Sequence, residues 1–378
     1  MQAAWKRILL IVLGWRLLLF LIGAVAPQFF AYQGSFSTPS VLQNYQLPAW
    51  VNRWASFDGV HYLSIIEQGY KKIGLIQAFF PIYPLLAKWL GLLINNNLLS
   101  LLIINNLATL LALYLLYVLN RQYFKRSQQF LPIILFLIFP SSFFLGAAYS
   151  EGLFLLWIFA AFYFFGQKKF WPTALFIALA SATRIVGIIL LPAMLIDLFY
   201  QNKKKIDYSA SFILCVGALG LVSYMGYLWV NFNDPFYFLT VQSQFGAGRQ
   251  SQFVIWPQVV WRYLKIIFTV RPIDWKYFAY VQEFCLSLIG LYYLIKAFLK
   301  KELPLAWILF ALGAYFMPTL TGNFSSMPRY ILVCWPIFFY LAKDFSRWKP
   351  QAKILYLTIS LLLLIINSML FIQGYWVA

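Results

Sequence analysis

The sequence predicts an all-α protein that crosses the membrane many times, and three observations support this fold class. The 378 residues are 63% hydrophobic and 10% charged, with a mean hydropathy of +0.76, which lies outside the range of soluble domains. Apolar runs of about 18 to 22 residues, long enough for a helix to cross a hydrocarbon core of roughly 30 Å, recur along the chain. Most of the lysine and arginine residues lie between these runs, as positive-inside orientation requires.

The first apolar run, Ile8 to Val25, follows Lys6 and Arg7 and ends in small residues, like a secretory signal peptide. We expect an uncleaved anchor with a cytoplasmic N-terminus, because the run is long enough to span and Pro27 occupies the start of any mature chain. Residues 27–97 then form a first external loop. Within it, the proline-containing segment 79–95 predicts an interfacial or re-entrant helix.

From this start we expect about eleven transmembrane helices in a single membrane domain covering residues 1–378, with no soluble domain. Residues 231–276 form a second external loop, with an amphipathic segment around 256–267. Two short helices within 171–200 predict a hairpin that is buried or lies in thinned bilayer. The other predicted spans are 8–25, 98–119, 131–149, 152–165, 209–230, 278–296, 303–319, 330–342 and 354–375.

Several functional classes are excluded. The net charge of +19 is attributed to cytoplasmic loops and not to nucleic-acid binding, so membrane lipids are the expected partners. The three cysteines fall inside apolar runs and offer no disulfide or metal framework. One histidine excludes bis-histidine haem and histidine-rich metal sites. No glycine-rich nucleotide-binding motif is present.

The polar segment 53–70 is the first candidate for chemistry, because it holds the only histidine and two of the ten acidic residues. If a helix begins at Ser56 or Phe57, Asp58 lies in its first turn, where the helix dipole favours an ionised carboxylate that can act as a general base. His61 and Tyr62 then share its face. Glu67, nine residues on, points to the opposite face and is interpreted as structural. The alternative is that Asp58 only caps the helix.

The predicted topology places Asp58, Glu151, Arg184 and Arg329 on the external side, together with Arg249. Charged residues near spans are costly and usually face a cavity, so we expect one polar cavity there. Cations beside carboxylates suit a substrate that carries phosphate. The alternatives are that Glu151 only starts a helix and that the arginines extend along the apolar surface to reach water.

Five sequence segments together resemble the PIG-V-like mannosyltransferases, relatives of GPI mannosyltransferase 2 within the GT-C class of membrane glycosyltransferases. They occur in family order and cover most of the chain. Phe57 stands where the family often has a second tryptophan, and Val186 where it often has asparagine. The segments are WASFDGVHY at 54–62 with GY at 69–70, FFPIYP at 79–84, AYSEGLF at 148–154, ATRIVG at 182–187 and MPRY at 327–330.

The resemblance implies a GT-C-like bundle with interfacial helices in the first external loop and with Asp58 as the catalytic aspartate. It implies a sugar donor, mannose in this family, linked to polyprenyl or dolichyl phosphate, and an acceptor hydroxyl on a glycan or glycolipid. Inversion by direct displacement is expected, with Arg184 and Arg329 stabilising the leaving phosphate. His61, Tyr62, Glu151 and Arg249 complete the expected substrate-binding set.

No cofactor is expected, because the carboxylates are sparse and contain no D-x-D pair; a divalent metal is possible but not expected to be essential. The active site is expected on the extracytoplasmic face, of the cell membrane in a prokaryote or of the endoplasmic reticulum membrane in a eukaryote. Two rival functions remain open. One is a transporter or flippase for lipid-linked sugars, which would also have broken helices and a cationic cavity. The other is a noncatalytic subunit that binds such a lipid.

Overall fold

A computed structural model describes residues 2–34, 38–71, 74–245, 254–272 and 275–377, and these residues form helices without any β-strand. The helices of the first half are α1 Gln2–Val25, α2 Thr38–Gln43, α3 Ala49–Asn52, α4 Asp58–Gln68, α5 Ile82–Ile94, α6 Asn97–Asn120, α7 Leu131–Leu137, α8 Glu151–Gly166, α9 Phe170–Ser181 and α10 Leu190–Gln201. Those of the second half are α11 Tyr208–Val216, α12 Leu219–Phe232, α13 Tyr237–Thr240, α14 Trp256–Thr269, α15 Trp275–Lys300, α16 Leu305–Thr319, α17 Met327–Ile331, α18 Pro336–Arg347 and α19 Pro350–Ile372.

Four of the described helices, α1, α6, α15 and α19, are long and apolar enough to cross a membrane. The pair α11 and α12 is bent by 41° and would add a fifth span if it crosses as one unit. The shorter helices α5, α8, α9, α10 and α16 are also apolar. Together these helices indicate an integral, multi-pass membrane protein.

The predicted span 209–230 is divided into α11 and α12, and two further predicted spans are interrupted. In place of a continuous helix over 131–149, α7 ends at Leu137 and a 3₁₀ turn follows at Ser142–Leu145. Pro140 explains the break, because it has no N–H to donate and disfavours helical geometry in the residue before it. The predicted span 330–342 is likewise divided into α17 and α18, with Pro336 as the first residue of α18.

The chain divides into two compact units. Unit 1 contains Met1–Gly69, Tyr83–Phe159 and Leu341–Val377, and unit 2 contains Tyr70–Ile82 and Ala160–Tyr340. In unit 1, α1 packs against α6 and α19. Phe371 of α19 lies at the centre of an aromatic cluster, with its ring centroid 5.1–6.2 Å from those of Trp54, Phe57, Phe143, Phe144 and Tyr149.

In unit 2, α9 packs against α11 and α12, and α10 packs against α16. The approach of α12 to α9 depends on glycine, because a Cβ at Gly220 would lie 1.9 Å from the carbonyl oxygen of Ala178. The predicted short helices within 171–200 are present as α9 and α10, joined by a 3₁₀ turn at Ile185–Ile189. The amphipathic segment predicted around 256–267 forms α14, which packs against α15.

Candidate active site

Asp58 is the first residue of α4, at the end of a strained turn in unit 1. A 3₁₀ turn at Arg53–Ala55 leads into extended Ser56, and Phe57 then takes φ 58° and ψ −113°. Non-glycine residues rarely adopt positive φ, so this conformation needs support from its surroundings. The Phe57 ring supplies part of it by packing against Phe371 and Trp376, with centroid separations of 5.7 and 5.4 Å. Asp58 itself is half-buried.

The hydroxyl of Tyr149 holds the backbone on both sides of Phe57. The Asp58 N–H donates to Tyr149 Oη across 3.2 Å, and Tyr149 Oη donates to the carbonyl oxygen of Ser56, also across 3.2 Å. Tyr149 is almost fully buried. Tyr149 lies in the AYSEGLF segment, where the sequence alone assigns it no role. Tyr149 directly precedes Ser150 and Glu151. Because a buried tyrosine hydroxyl usually needs a hydrogen-bond partner, this position could have indicated a structural role for Tyr149.

His61 and Tyr62 follow Asp58 on α4, as the spacing predicts. His61 is half-buried, and burial lowers the pKa of its imidazole below the ordinary value, while the nearby Asp58 carboxylate opposes part of that shift. Tyr62 is buried and donates a hydrogen bond to Ser150 Oγ across 3.1 Å. Asp58 is therefore tied through its amide, and Tyr62 through its hydroxyl, to adjacent residues of one loop.

Glu151 begins α8 and is fully buried. Ser150, which accepts the hydrogen bond from Tyr62, directly precedes Glu151, and the ring of Tyr62 packs edge-on against that of Tyr83 with centroids 4.8 Å apart. Glu67, in contrast, is exposed and accepts a hydrogen bond from the Tyr45 hydroxyl. Unit 1 thus brings the predicted residues Asp58, His61, Tyr62 and Glu151 into one neighbourhood and leaves Glu67 away from it.

Two predicted arginines lie in unit 2. Arg184 stands between α9 and the following 3₁₀ turn, and its guanidinium carbon lies 5.3 Å from the ring centroid of Tyr330. Arg329 is buried within the short helix α17, directly before Tyr330. Arg184 and Arg329 are therefore near each other, because Arg184 lies over the ring of Tyr330, the residue that follows Arg329.

Glu283 is a buried carboxylate that was not predicted from the sequence as a site residue. Its Oε2 accepts a hydrogen bond from the Tyr263 hydroxyl across 2.6 Å, and its Oε1 accepts one from the Ser326 N–H across 3.2 Å. Ser326 has φ 64° and directly precedes α17, the helix that carries Arg329. Burying a carboxylate inside an apolar run costs free energy, so such residues usually have a specific partner or a function. The position of Glu283 within the predicted span 278–296 could therefore have marked it as a candidate.

The remaining predictions concern Arg249 and a metal. Arg249 lies outside the described residues. Within the described ranges, no group of three or more histidine, cysteine, aspartate or glutamate side chains could hold a metal ion.

A family sequence model for mannosyltransferases, described as Mannosyltransferase (PIG-V), matches residues 4–282, which is most of the chain. The chain belongs to the PIG-V mannosyltransferase family. The matched residues include Asp58, Glu151 and Arg184, whereas Glu283 and Arg329 follow the end of the match. No curated protein sequence matches the chain.

Membership in the PIG-V family identifies the protein as a glycosyltransferase enzyme with mannosyltransferase activity, acting on a sugar donor and an acceptor. The resemblance inferred from the five sequence segments is confirmed. The family match also favours an enzyme over the two rival functions, a carrier and a noncatalytic subunit.

Proposed function

We propose that the protein transfers mannose from a polyprenyl- or dolichyl-phosphate-linked donor to a hydroxyl group of a glycan or glycolipid acceptor, on the extracytoplasmic face of the membrane. The observation that carries this proposal is the position of Asp58. It opens a short helix within the part of the chain that the family model matches, with its amide held by Tyr149. In this proposal the whole chain is a single GT-C-like membrane domain with about eleven spans.

In the proposed reaction Asp58 acts as the general base. Its carboxylate accepts the proton of the acceptor hydroxyl while the acceptor oxygen attacks the anomeric carbon of mannose. The bond from that carbon to the phosphate oxygen breaks, and the electron pair leaves on the phosphate. The attack and departure occur on opposite faces of the carbon, so the configuration is inverted.

Cationic side chains are assigned to the leaving phosphate. Arg184 and Arg329 would bind it, because a guanidinium can donate two parallel hydrogen bonds to phosphate oxygens and stabilise the charge that develops there. Arg249 is assigned to substrate binding from the sequence alone. His61, Tyr62 and Glu151 would shape the sugar and acceptor pocket around Asp58. No metal ion is required in this scheme.

The test uses purified protein in lipid, a polyprenyl-phosphate-mannose donor and a panel of glycan and glycolipid acceptors, with release of polyprenyl phosphate as the readout. We expect wild type to turn over, and Asp58→Asn to bind donor but lose about 10²-fold or more in kcat, the range for a positioned general base. Glu67→Gln is the matched control, because it removes a carboxylate from the exposed face of the same helix. It should keep wild-type turnover.

Two results would contradict the proposal. Equal turnover in wild type and Asp58→Asn would remove Asp58 from the mechanism. Donor binding by wild type without release of polyprenyl phosphate, on every acceptor tried, would contradict transfer from this donor and favour a carrier of lipid-linked sugars.

A further inference from the structure

The turn that presents Asp58 is held in a conformation that it would not keep alone. A residue with the backbone angles of Phe57 costs on the order of 1–3 kcal/mol and persists only where the surroundings determine it. Phe57 is also the N-cap residue of α4, and its side chain makes no capping hydrogen bond. The first-turn N–H of Asp58 is satisfied by the Tyr149 hydroxyl, which also contacts the carbonyl of Ser56. One phenol group therefore bridges the two peptide groups that flank the strained residue.

Tyr149 can hold this turn only if its own loop is fixed, and the side chain of Asn105 on α6 fixes it. Asn105 Nδ2 lies 2.8–3.0 Å from the carbonyl oxygens of Phe144, Leu145 and Ala147. Asn105 Oδ1 accepts a hydrogen bond of 2.7 Å from the N–H of Gly152. The asparagine thus replaces the backbone partners that the loop lacks between α7 and α8, on both sides of Tyr149.

Two further contacts tie this loop to its neighbours in unit 1. Thr109, one turn along α6 from Asn105, donates from Oγ1 to the carbonyl of Leu145 across 3.0 Å. The N–H of Ala148 donates to the carbonyl of Trp54 across 2.9 Å, which joins the loop directly to the 3₁₀ turn before Asp58. The position of the Asp58 backbone is therefore linked by hydrogen bonds to a long apolar helix.

We propose that Tyr149 is a positioning residue for Asp58, and that Asn105 and Thr109 hold the loop that carries it. The proposal rests on the assignment of Asp58 as the general base. Without the Tyr149 hydroxyl, the turn at Phe57 relaxes and the Asp58 carboxylate moves relative to the acceptor hydroxyl. Misplacement of a reacting group by about 1 Å can lower the rate on the order of 100-fold.

The test compares Tyr149→Phe with Tyr315→Phe. Tyr315 is buried and donates to the carbonyl of Ser287 across 2.8 Å in unit 2, so the control loses a similar buried hydrogen bond away from Asp58. We expect Tyr149→Phe to lower kcat about 10- to 100-fold, with the donor KM within about twofold of wild type. Tyr315→Phe should retain wild-type kcat. A kcat for Tyr149→Phe within twofold of wild type, while Asp58→Asn is inactive, would overturn the proposal.

Amide hydrogen exchange of residues 56–60 gives a readout that does not depend on turnover. Exchange there should be faster in Tyr149→Phe than in wild type or Tyr315→Phe, because the turn loses its hydrogen-bond acceptor. Unchanged exchange in Tyr149→Phe would overturn the positioning role of Tyr149, whatever the donor proves to be. If wild type shows no turnover but Tyr149→Phe exchanges faster than wild type, the result counts against the proposed function alone.

If Tyr149→Phe does not fold, the isosteric Thr109→Val replaces it. This variant removes one hydrogen bond from the same loop. It should lower kcat by a smaller factor and speed exchange at 56–60, and no change in either measurement would overturn the proposal.

Discussion

The hydroxyl of Tyr263 on α14 donates to Glu283 on α15 across 2.6 Å. The other oxygen of the same carboxylate accepts the N–H of Ser326, so one buried side chain connects an amphipathic helix to the turn that precedes Arg329. A second contact joins the same parts, because Arg262 donates to the carbonyl of Gly322 across 3.1 Å. In unit 2, the surroundings of a proposed phosphate-binding arginine are thus built from buried polar contacts.

Tyr263→Phe should destabilise the protein. It removes one hydrogen bond from a buried carboxylate, and leaving such an acceptor without a partner costs about 1–3 kcal/mol. Unfolding in detergent micelles, followed by circular dichroism, measures the change. Tyr277→Phe is the control, because its hydroxyl donates to the carbonyl of Ile267 across 3.2 Å at a partly buried position. Equal losses in the two variants would show that Glu283 does not depend on Tyr263.

Gly152→Ala should destabilise the start of α8. A Cβ at Gly152 would lie 2.1 Å from Thr109 Oγ1 and 2.5 Å from the carbonyl oxygen of Asn105. Such crowding typically costs about 1–3 kcal/mol, since both neighbours belong to a packed helix. Gly166→Ala, at the other end of α8, is the control because nothing lies within 4 Å of its added Cβ. Thermal unfolding of both variants tests the prediction, which fails if Gly152→Ala is as stable as wild type.

Stability should depend on pH through His61, the only histidine of the chain. Because burial lowers its pKa in the folded state, the unfolded chain binds the proton more readily. The contribution to stability is therefore complete above the unfolded pKa of about 6.5 and is lost as the pH falls from there through the folded pKa. Unfolding temperatures at several pH values should fall less steeply toward acid in His61→Gln. Identical slopes for the two proteins would contradict this expectation.

Tyr330→Leu should weaken donor binding more than Tyr330→Phe does. The ring of Tyr330 lies below the guanidinium of Arg184, and a cation–π contact of this kind contributes about 0.5–1 kcal/mol. Loss of the ring should therefore raise the donor KM by about two- to fivefold, since Arg184 is no longer held in one orientation. Tyr330→Phe keeps the ring and should keep the KM. The prediction is wrong if both variants behave alike.

The sequence predicted the helices better than the contacts between them. A helix with Asp58 in its first turn was considered with a start at Ser56 or Phe57, and the helix begins at Asp58 itself. The short helices within 171–200 followed from apolar run lengths. The break after Leu137 was missed because apolar composition continues through Pro140, and hydropathy does not record where a backbone stops donating hydrogen bonds. The contact between Tyr149 and Asp58 joins residues 91 positions apart. No local pattern encodes such a pairing.

The position of Phe371 bears on the order in which the protein is made. This side chain lies among Trp54, Phe57 and Tyr149, yet α19 leaves the ribosome after every segment that it packs against. Unit 1 is built from three chain segments that meet at Phe371, and most of unit 2 is synthesised between the second segment and the third. During translation the turn before Asp58 therefore lacks its contacts with Phe371 until α19 has been synthesised and has entered the membrane.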